Sequence, residues 1–155
     1  FQGFEGSQGK VTKVLTDKGE FEADIVLLAI GARPNAELAK RSGIGLGVAG
    51  AIQVDEYQRT NIPDVYAAGD CAEAIHLVTG KKAYIALGTT ANKQGRIAGE
   101  NAAGLNRRFE GIVGTAVTKV FDLEVARTGL SSIDAGREGY KFFTSTITGR
   151  SRSSS

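Results

Sequence analysis

Six consecutive apolar residues, Ile25, Val26, Leu27, Leu28, Ala29 and Ile30, follow Asp24 with no alternation of polar side chains. A run so short and so uniformly apolar predicts a strand buried on both faces, as in a parallel sheet covered by helices. Gly31 ends the run, and Pro34, which lacks an amide donor, blocks its continuation in a central strand. Just upstream, residues 10–16 alternate, and Asp17, Lys18, Gly19 and Glu20 supply turn chemistry. Residues 10–23 therefore predict a hairpin. A second buried strand is predicted over residues 65–68, Val-Tyr-Ala-Ala, after the turn residues Thr60 to Asp64. These signals place the chain in the α/β class.

Between the two runs, Asn35 is a good N-cap for a short helix over residues 36–42, with Gly43 at its C′ position. Residues 51–55 predict a short strand, and residues 77–84, centred on Thr79, Gly80 and Lys81, a weak hairpin or loop. The clearest helix covers residues 89–103. Ala91, Gly95, Ala98 and Ala102 recur at helical spacing as a stripe of very small side chains, while Lys93, Arg96 and Glu100 mark a solvated face. Gly95 and Gly99 cost helix propensity, so close packing is the expected reason for them. The composition shifts at Asn106, Arg107 and Arg108, where a domain boundary is placed. Beyond it, residues 115–121 and 123–128 predict strands, residues 131–137 a short helix, and residues 140–146 a further strand.

Composition narrows the chemistry. One cysteine among 155 residues excludes an intrachain disulfide framework or a CxxC pair within them. The lone His76 leaves little for a histidine-rich metal site or a Ser-His-Asp triad, so no metal ligands are assigned. No apolar run approaches the ~20 residues of a membrane-spanning helix. The net charge of +2 arises from Arg137, Lys141, Arg150 and Arg152 near the C-terminal end, leaving a near-neutral body. That distribution does not resemble the basic stripe of a nucleic-acid binder. With no methionine anywhere and Phe1 in first place, the chain reads as a piece of a longer one.

Gly45 to Gly50 matches the dinucleotide fingerprint G-x-G-x-x-G. The fingerprint works only when a strand precedes it and a helix follows, because the helix N-terminus holds the pyrophosphate. Here the predicted order is inverted. A flexible glycine-rich connection is the better reading.

The chemistry is carried elsewhere. In Thr60-Asn61-Ile62-Pro63-Asp64-Val65-Tyr66-Ala67-Ala68-Gly69-Asp70, a turn leads into a strand that ends in a glycine and a carboxylate. Ligands of open α/β sheets gather at that end of the strands. Gly69 allows close approach, and Asp70 can accept hydrogen bonds from hydroxyls. The plainer alternative is that Asp70 caps the following turn. The stretch resembles the second flavin-binding motif of the FAD-dependent pyridine nucleotide–disulfide oxidoreductases, in which the matching carboxylate hydrogen-bonds the ribityl chain of FAD. Two further stretches are similar to that family in the same order. Ile30-Gly31-Ala32-Arg33-Pro34-Asn35 resembles the return from the NAD(P)H domain to the FAD domain. Residues 85–96, Ile-Ala-Leu-Gly-Thr-Thr-Ala-Asn-Lys-Gln-Gly-Arg, resemble the turn and helix facing the flavin ring.

The resemblance covers roughly residues 10–129. It implies a glutathione-reductase-like flavoprotein with two dinucleotide-binding domains and an α+β interface domain. Residues 1–33 would end the NAD(P)H domain, 34–112 belong to the FAD domain and 113–155 begin the interface domain. Gly69, Asp70, Leu87, Gly88 and Thr89 are the implied cofactor-binding residues, the last three chiefly through unpaired amides at a helix N-terminus. Residues 88–96 and 118–122 look most like the CoA-disulfide reductase, NADH oxidase and NADH peroxidase branch. That branch implies FAD and NAD(P)H as cofactors, a small-molecule acceptor, a homodimer and a cytoplasmic location. The family's reactive cysteine and both glycine phosphate loops are not matched here, so no catalytic residue is assigned and the piece alone is expected to be inactive. Cys71 is expected to pack, His76 to pack or lie at the surface, and Arg107 and Arg108 to form a solvated connection. The Ser/Arg tail is expected to be mobile, a CoA-phosphate contact at Arg150 or Arg152 being the lesser alternative. Two rivals stand beside this reading: a reductase serving a ferredoxin- or rubredoxin-like partner, and a non-enzymatic oligomerisation module.

Overall fold

The alternating stretch forms the central strand of a three-stranded antiparallel sheet in the computed structural model, which describes residues 1–149. The strands are β1 (Gly3–Ser7), β2 (Lys10–Thr16) and β3 (Gly19–Glu22), in that order across the sheet. Thr16 closes the second turn on itself. Its hydroxyl donates to the Gly19 carbonyl at 2.9 Å and accepts the Lys18 amide at 3.1 Å. Lys13 and Glu20 pair across β2 and β3 at 2.8 Å, an exposed contact of small energetic weight. This sheet belongs to the first of two compact units, Phe1–Ala32.

Residues 25–30 do not form the predicted buried strand. Ile25, Leu27 and Ile30 are 88%, 87% and 91% exposed, and the segment is irregular. A strand exists through its ladder partners, and no strand of the described residues pairs with this one.

The second unit begins at Arg33. Helix α1 (Glu37–Arg41) is one residue shorter at each end than predicted, and Ala36 stands at its N-cap with no side-chain cap. Asn35 is thus not the cap. Its C-terminus behaves as the sequence demands: Gly43 takes φ +77°, and two bonds close a Schellman motif. The Ile44 amide reaches the Ala39 carbonyl at 2.9 Å, and the Gly43 amide reaches Lys40 at 3.2 Å. Ala36 and Ala39 pack with Ile52, Val54 and Ala72 to form the small core, and Ile44, Leu46, Ala67 and Cys71 pack against it. Cys71 therefore packs, as expected.

The predicted strands at 51–55 and 65–68 reduce to isolated bridges: Ile52 pairs with Leu46 in antiparallel and Ala72 in parallel, and Tyr66 with Arg59 in antiparallel. Residues 65–68 are half-buried, not buried. The hairpin expected at residues 77–84 is present with its first strand earlier than predicted, β4 (Ala74–Ile75) pairing with β5 (Lys82–Ala83). Helix α2 (Gly88–Ala102) lies within one residue of its predicted bounds. Strands β6 (Ala116–Val120) and β7 (Leu123–Arg127) form an antiparallel hairpin. Helix α3 (Ser132–Arg137) follows. Residues 140–146 are irregular and exposed, so the strand predicted there is absent. The Ser/Arg tail, with Arg150 and Arg152, lies outside the described residues. Among the described residues, no helix is long and apolar enough to cross a membrane.

Helix α3 carries a cap that the sequence announces. Ser131 accepts the Asp134 amide at 3.1 Å, and its hydroxyl donates to Asp134 Oδ2 at 2.6 Å. That hydroxyl, helped by Arg137 and Arg127 and opposed by desolvation, holds the Asp134 carboxyl below its ordinary range. The contribution of a depressed carboxyl is present above the ordinary carboxylate range and lost as pH falls through the lowered folded value. Separately, Ser131→Ala removes the N-cap acceptor of the Asp134 amide, which should cost about 1 kcal/mol of local helix stability. Hydrogen-exchange protection of residues 132–137 should fall in that variant, and in the wild type only under acid conditions below the usual carboxylate range.

Candidate functional site

The two stretches that carry chemistry meet at the first turn of α2. Gly69 adopts φ +87°, a left-handed conformation that suits glycine, and a Cβ placed on it would stand 3.6 Å from the Ala91 side chain. Asp70 follows at the exposed tip of the turn. Its carboxylate has no hydrogen-bond or ion-pair partner among the described residues, so it does not cap the turn. Only its backbone carbonyl is engaged, by the Tyr84 hydroxyl at 3.0 Å. Burial, and then the nearby Asp70 and Cys71, hold the Tyr84 phenol above its ordinary value.

Leu87, in extended conformation, stands at the N-cap of α2 and gives no side-chain cap. The first intrahelical bond runs from the Ala91 amide to the Leu87 carbonyl at 2.9 Å. The amides of Gly88, Thr89 and Thr90 precede it and have no partner within the helix, concentrating the positive end of its dipole. Leu87, Gly88 and Thr89 line a cavity of about 690 Å³, closed on its other side by β6 and β7 through Ala116, Val117 and Ala126. Gly69 and Asp70 are not among its walls. The five predicted residues thus fall into two groups: three at the cavity, two on the adjoining turn against Ala91.

Two buried amide side chains are absent from the sequence-based assignment. Gln94, 0% exposed, accepts the Gly69 amide at 3.0 Å and donates to the Glu73 carbonyl at 3.1 Å. Asn101, 3% exposed, donates to the Tyr57 and Arg107 carbonyls and accepts the Arg107 amide. The stripe of small residues directed attention to the wrong edge of the helix. Ala91 and Ala98 do face inward, but Gly95 and Ala102 are exposed, and nothing lies within 4 Å of a Cβ placed on Gly95 or Gly99. The inward edge runs through 91, 94, 98 and 101. Two amides spaced seven apart on that edge were the signal available in the sequence.

The loop from Gly45 to Gly50 does not cradle a phosphate. Helix α1 precedes it, residues 48–50 form a 3₁₀ turn, and a carboxylate of the chain itself already sits there. Glu73, buried, accepts the Val48 amide at 3.3 Å, and a Cβ on Gly47 would collide with it. Lys82 neutralises Glu73 at 3.1 Å and also donates to the Val54 carbonyl. His76 is buried in the packing of the β4 end, where its backbone bridges Ile112. Arg107 and Arg108 are more than a solvated connection: Arg107 is pinned by Asn101, and Arg108 pairs with Glu56 at 2.7 Å.

Comparison with known proteins agrees with the motif reading. Residues 1–103 match the model of the pyridine nucleotide-disulphide oxidoreductases. A Pyrococcus furiosus protein named NAD(P)H sulfur oxidoreductase (CoA-dependent) is 47% identical over 138 residues, 89% of this chain and 31% of that protein. A Methanocaldococcus jannaschii NADH oxidase is 44% identical over 126 residues, 81% of this chain and 28% of the relative. The crystal structure of an FAD-dependent pyridine nucleotide-disulphide oxidoreductase from Desulfovibrio vulgaris superposes with a TM-score of 0.81 at 45% identity, over 88% of this chain and 34% of that one. The chain spans about a third of the length of the curated relatives it matches.

Proposed function

Because the chain belongs to the pyridine nucleotide-disulphide oxidoreductase family, we propose that its second unit forms one wall of the flavin site of an FAD-dependent NAD(P)H oxidoreductase. We read the acceptor as a disulfide, a CoA-disulfide or persulfide, or oxygen or peroxide; what supports this is that relatives are named a CoA-dependent sulfur oxidoreductase, a coenzyme A polysulfide/persulfide reductase and an NADH oxidase. The observation that carries this reading is the meeting of the Gly69–Asp70 turn with the uncapped start of α2 beside an apolar cavity.

The residues present fit the group. An unpartnered, exposed carboxylate on a turn suits hydroxyl groups, which it can orient as an acceptor of several hydrogen bonds. The unpaired amides of Gly88 and Thr89 suit an atom that gains negative charge, because they are fixed in place and need no reorganisation. The walls supplied by Ala116, Val117 and Ala126 suit one face of a flat apolar ring. When bound, FAD supplies two-electron chemistry between reduced nicotinamide and the acceptor. Residues 1–33 then belong to the nicotinamide domain, 34–112 to the FAD domain and 113–155 to an interface domain of a homodimer.

Anaerobic titration of the protein carrying this sequence with NADH, and then NADPH, tests the reading. Stoichiometric bleaching of a bound flavin's visible absorption is the expected result. A flavin-free protein, or a flavin that neither nucleotide bleaches, refutes it.

A further inference from the structure

We propose that Gln94 is a positioning residue of the flavin site: its side-chain amide clamps residues 69–73, the turn that presents Asp70, onto helix α2. The proposal rests on the flavin reading above. Gln94 Oε1 accepts the Gly69 amide at 3.0 Å, and Nε2 donates to the Glu73 carbonyl at 3.1 Å, so one side chain holds both ends of the turn. The Tyr84 hydroxyl adds a tether on the Asp70 carbonyl, and Ile52 holds the middle of the turn, its amide on the Cys71 carbonyl at 2.8 Å and its carbonyl accepting the Glu73 amide at 3.1 Å. Gln94 alone among these ties the turn to helix α2; all of them grip backbone groups, and among the described residues none engages the Asp70 carboxylate. The turn is fixed while its functional group is left free for a ligand.

Packing alone does not explain the residue. A fully buried amide loses its hydration, and an apolar side chain of similar volume would fill the same space without that loss. Only a group with one acceptor and one donor at this reach satisfies both the Gly69 amide and the Glu73 carbonyl. Asparagine is one carbon too short, and an ionised glutamate has no donor. A protonated glutamate has both. Because α2 also carries Gly88 and Thr89 at its start, the clamp sets the distance between the carboxylate and the helix amides, the two halves of the site.

That chemistry supplies the test. Gln94→Glu is prepared in the flavin-loaded protein, with Gln94→Met as a variant of similar volume that cannot bridge. FAD dissociation constants are measured at pH 6 and pH 9 as ratios to wild type at the same pH. Hydrogen exchange of residues 69–73 is followed in parallel. The titratable neighbours of the amide on the turn and the facing strands, Asp70, Cys71, Glu73, Lys82 and Tyr84, are common to all three proteins, and Gln94→Met, which adds no titratable group, controls for their own pH dependence. A buried glutamate favours its neutral form, so Gln94→Glu should bind FAD like wild type at pH 6 and about tenfold or more weakly at pH 9. Exchange of residues 69–73 should accelerate only at the higher pH. Gln94→Met should be weakened about tenfold at both. Wild-type affinity in both variants, or equal weakening of Gln94→Glu at the two pH values, overturns the clamp while the flavin reading stands. A wild-type protein that takes up no flavin overturns the flavin reading and the clamp with it.

Discussion

Replacing Asp70 with alanine should weaken FAD binding about 10- to 100-fold while leaving the stability of the flavin-free protein within about 0.5 kcal/mol of wild type. The two halves of that expectation come from one observation. The carboxylate is exposed and has no partner among the described residues, so truncating it breaks no internal contact. Its backbone carbonyl, held by Tyr84, is untouched by the substitution. The loss therefore falls on whatever the carboxylate binds. A charge-assisted hydrogen bond contributes about 1.5–3 kcal/mol, which converts to the stated range. Asp70→Asn, which keeps an acceptor and removes the charge, should fall between the two. Equilibrium dialysis of FAD against the apoprotein, with chemical unfolding of the same samples, reads both quantities. Undiminished flavin content in Asp70→Ala would reject the assigned role, and a large fall in apoprotein stability would show that the carboxylate serves the fold instead.

The turn at Gly69 and Asp70 was readable because a glycine and a carboxylate ending a strand-like stretch are local signals. So were the turn after Thr16, the left-handed Gly43 and the Ser131 cap, each settled by a few adjacent residues. The helix α2 was readable for a related reason: its length and spacing speak for themselves. Strands with a hairpin partner next to them in the chain, β2 with β3 and β6 with β7, formed as predicted, whereas the strands that needed a distant partner did not. Residues 25–30, 51–55, 65–68 and 140–146 each have a composition suited to strands, but composition does not supply a ladder partner. Ile52 finds only the isolated bridges to Leu46 and Ala72, whereas Ile25 and Ile30 find no strand among the described residues. The buried amides failed for another reason. A polar residue on a helix is read as solvated unless its face is known, and a one-step error in the stripe moved Gln94 and Asn101 out of view.

Asn101 carries the largest expected effect on stability. Its Nδ2 donates to the Tyr57 and Arg107 carbonyls, both at 2.8 Å, and its Oδ1 accepts the Arg107 amide at 2.7 Å. One side chain thus pins the end of α2 to the loop that follows it and to the turn at Tyr57, which Asp55 already orders through the Tyr57 and Arg59 amides. The nearby Phe109 amide adds a bond to the Glu56 carbonyl at 2.7 Å. Asn101→Ala removes three hydrogen bonds and strands three partly buried backbone groups, each costing about 1–3 kcal/mol when water cannot reach it. Because the loop after α2 can relax and admit water, the sum should be incomplete, and about 3–5 kcal/mol is expected. Asn101→Asp is the sharper probe. It retains the acceptor for the Arg107 amide but turns an anion towards two carbonyl oxygens, so it should destabilise at least as much as alanine at neutral pH and recover in part as the carboxyl is protonated. Denaturant unfolding of the flavin-free protein measures both variants. A loss below about 1 kcal/mol in Asn101→Ala would mean that the loop after α2 is held by Phe109 and the exposed Arg108–Glu56 pair instead, and that the buried amide is replaceable.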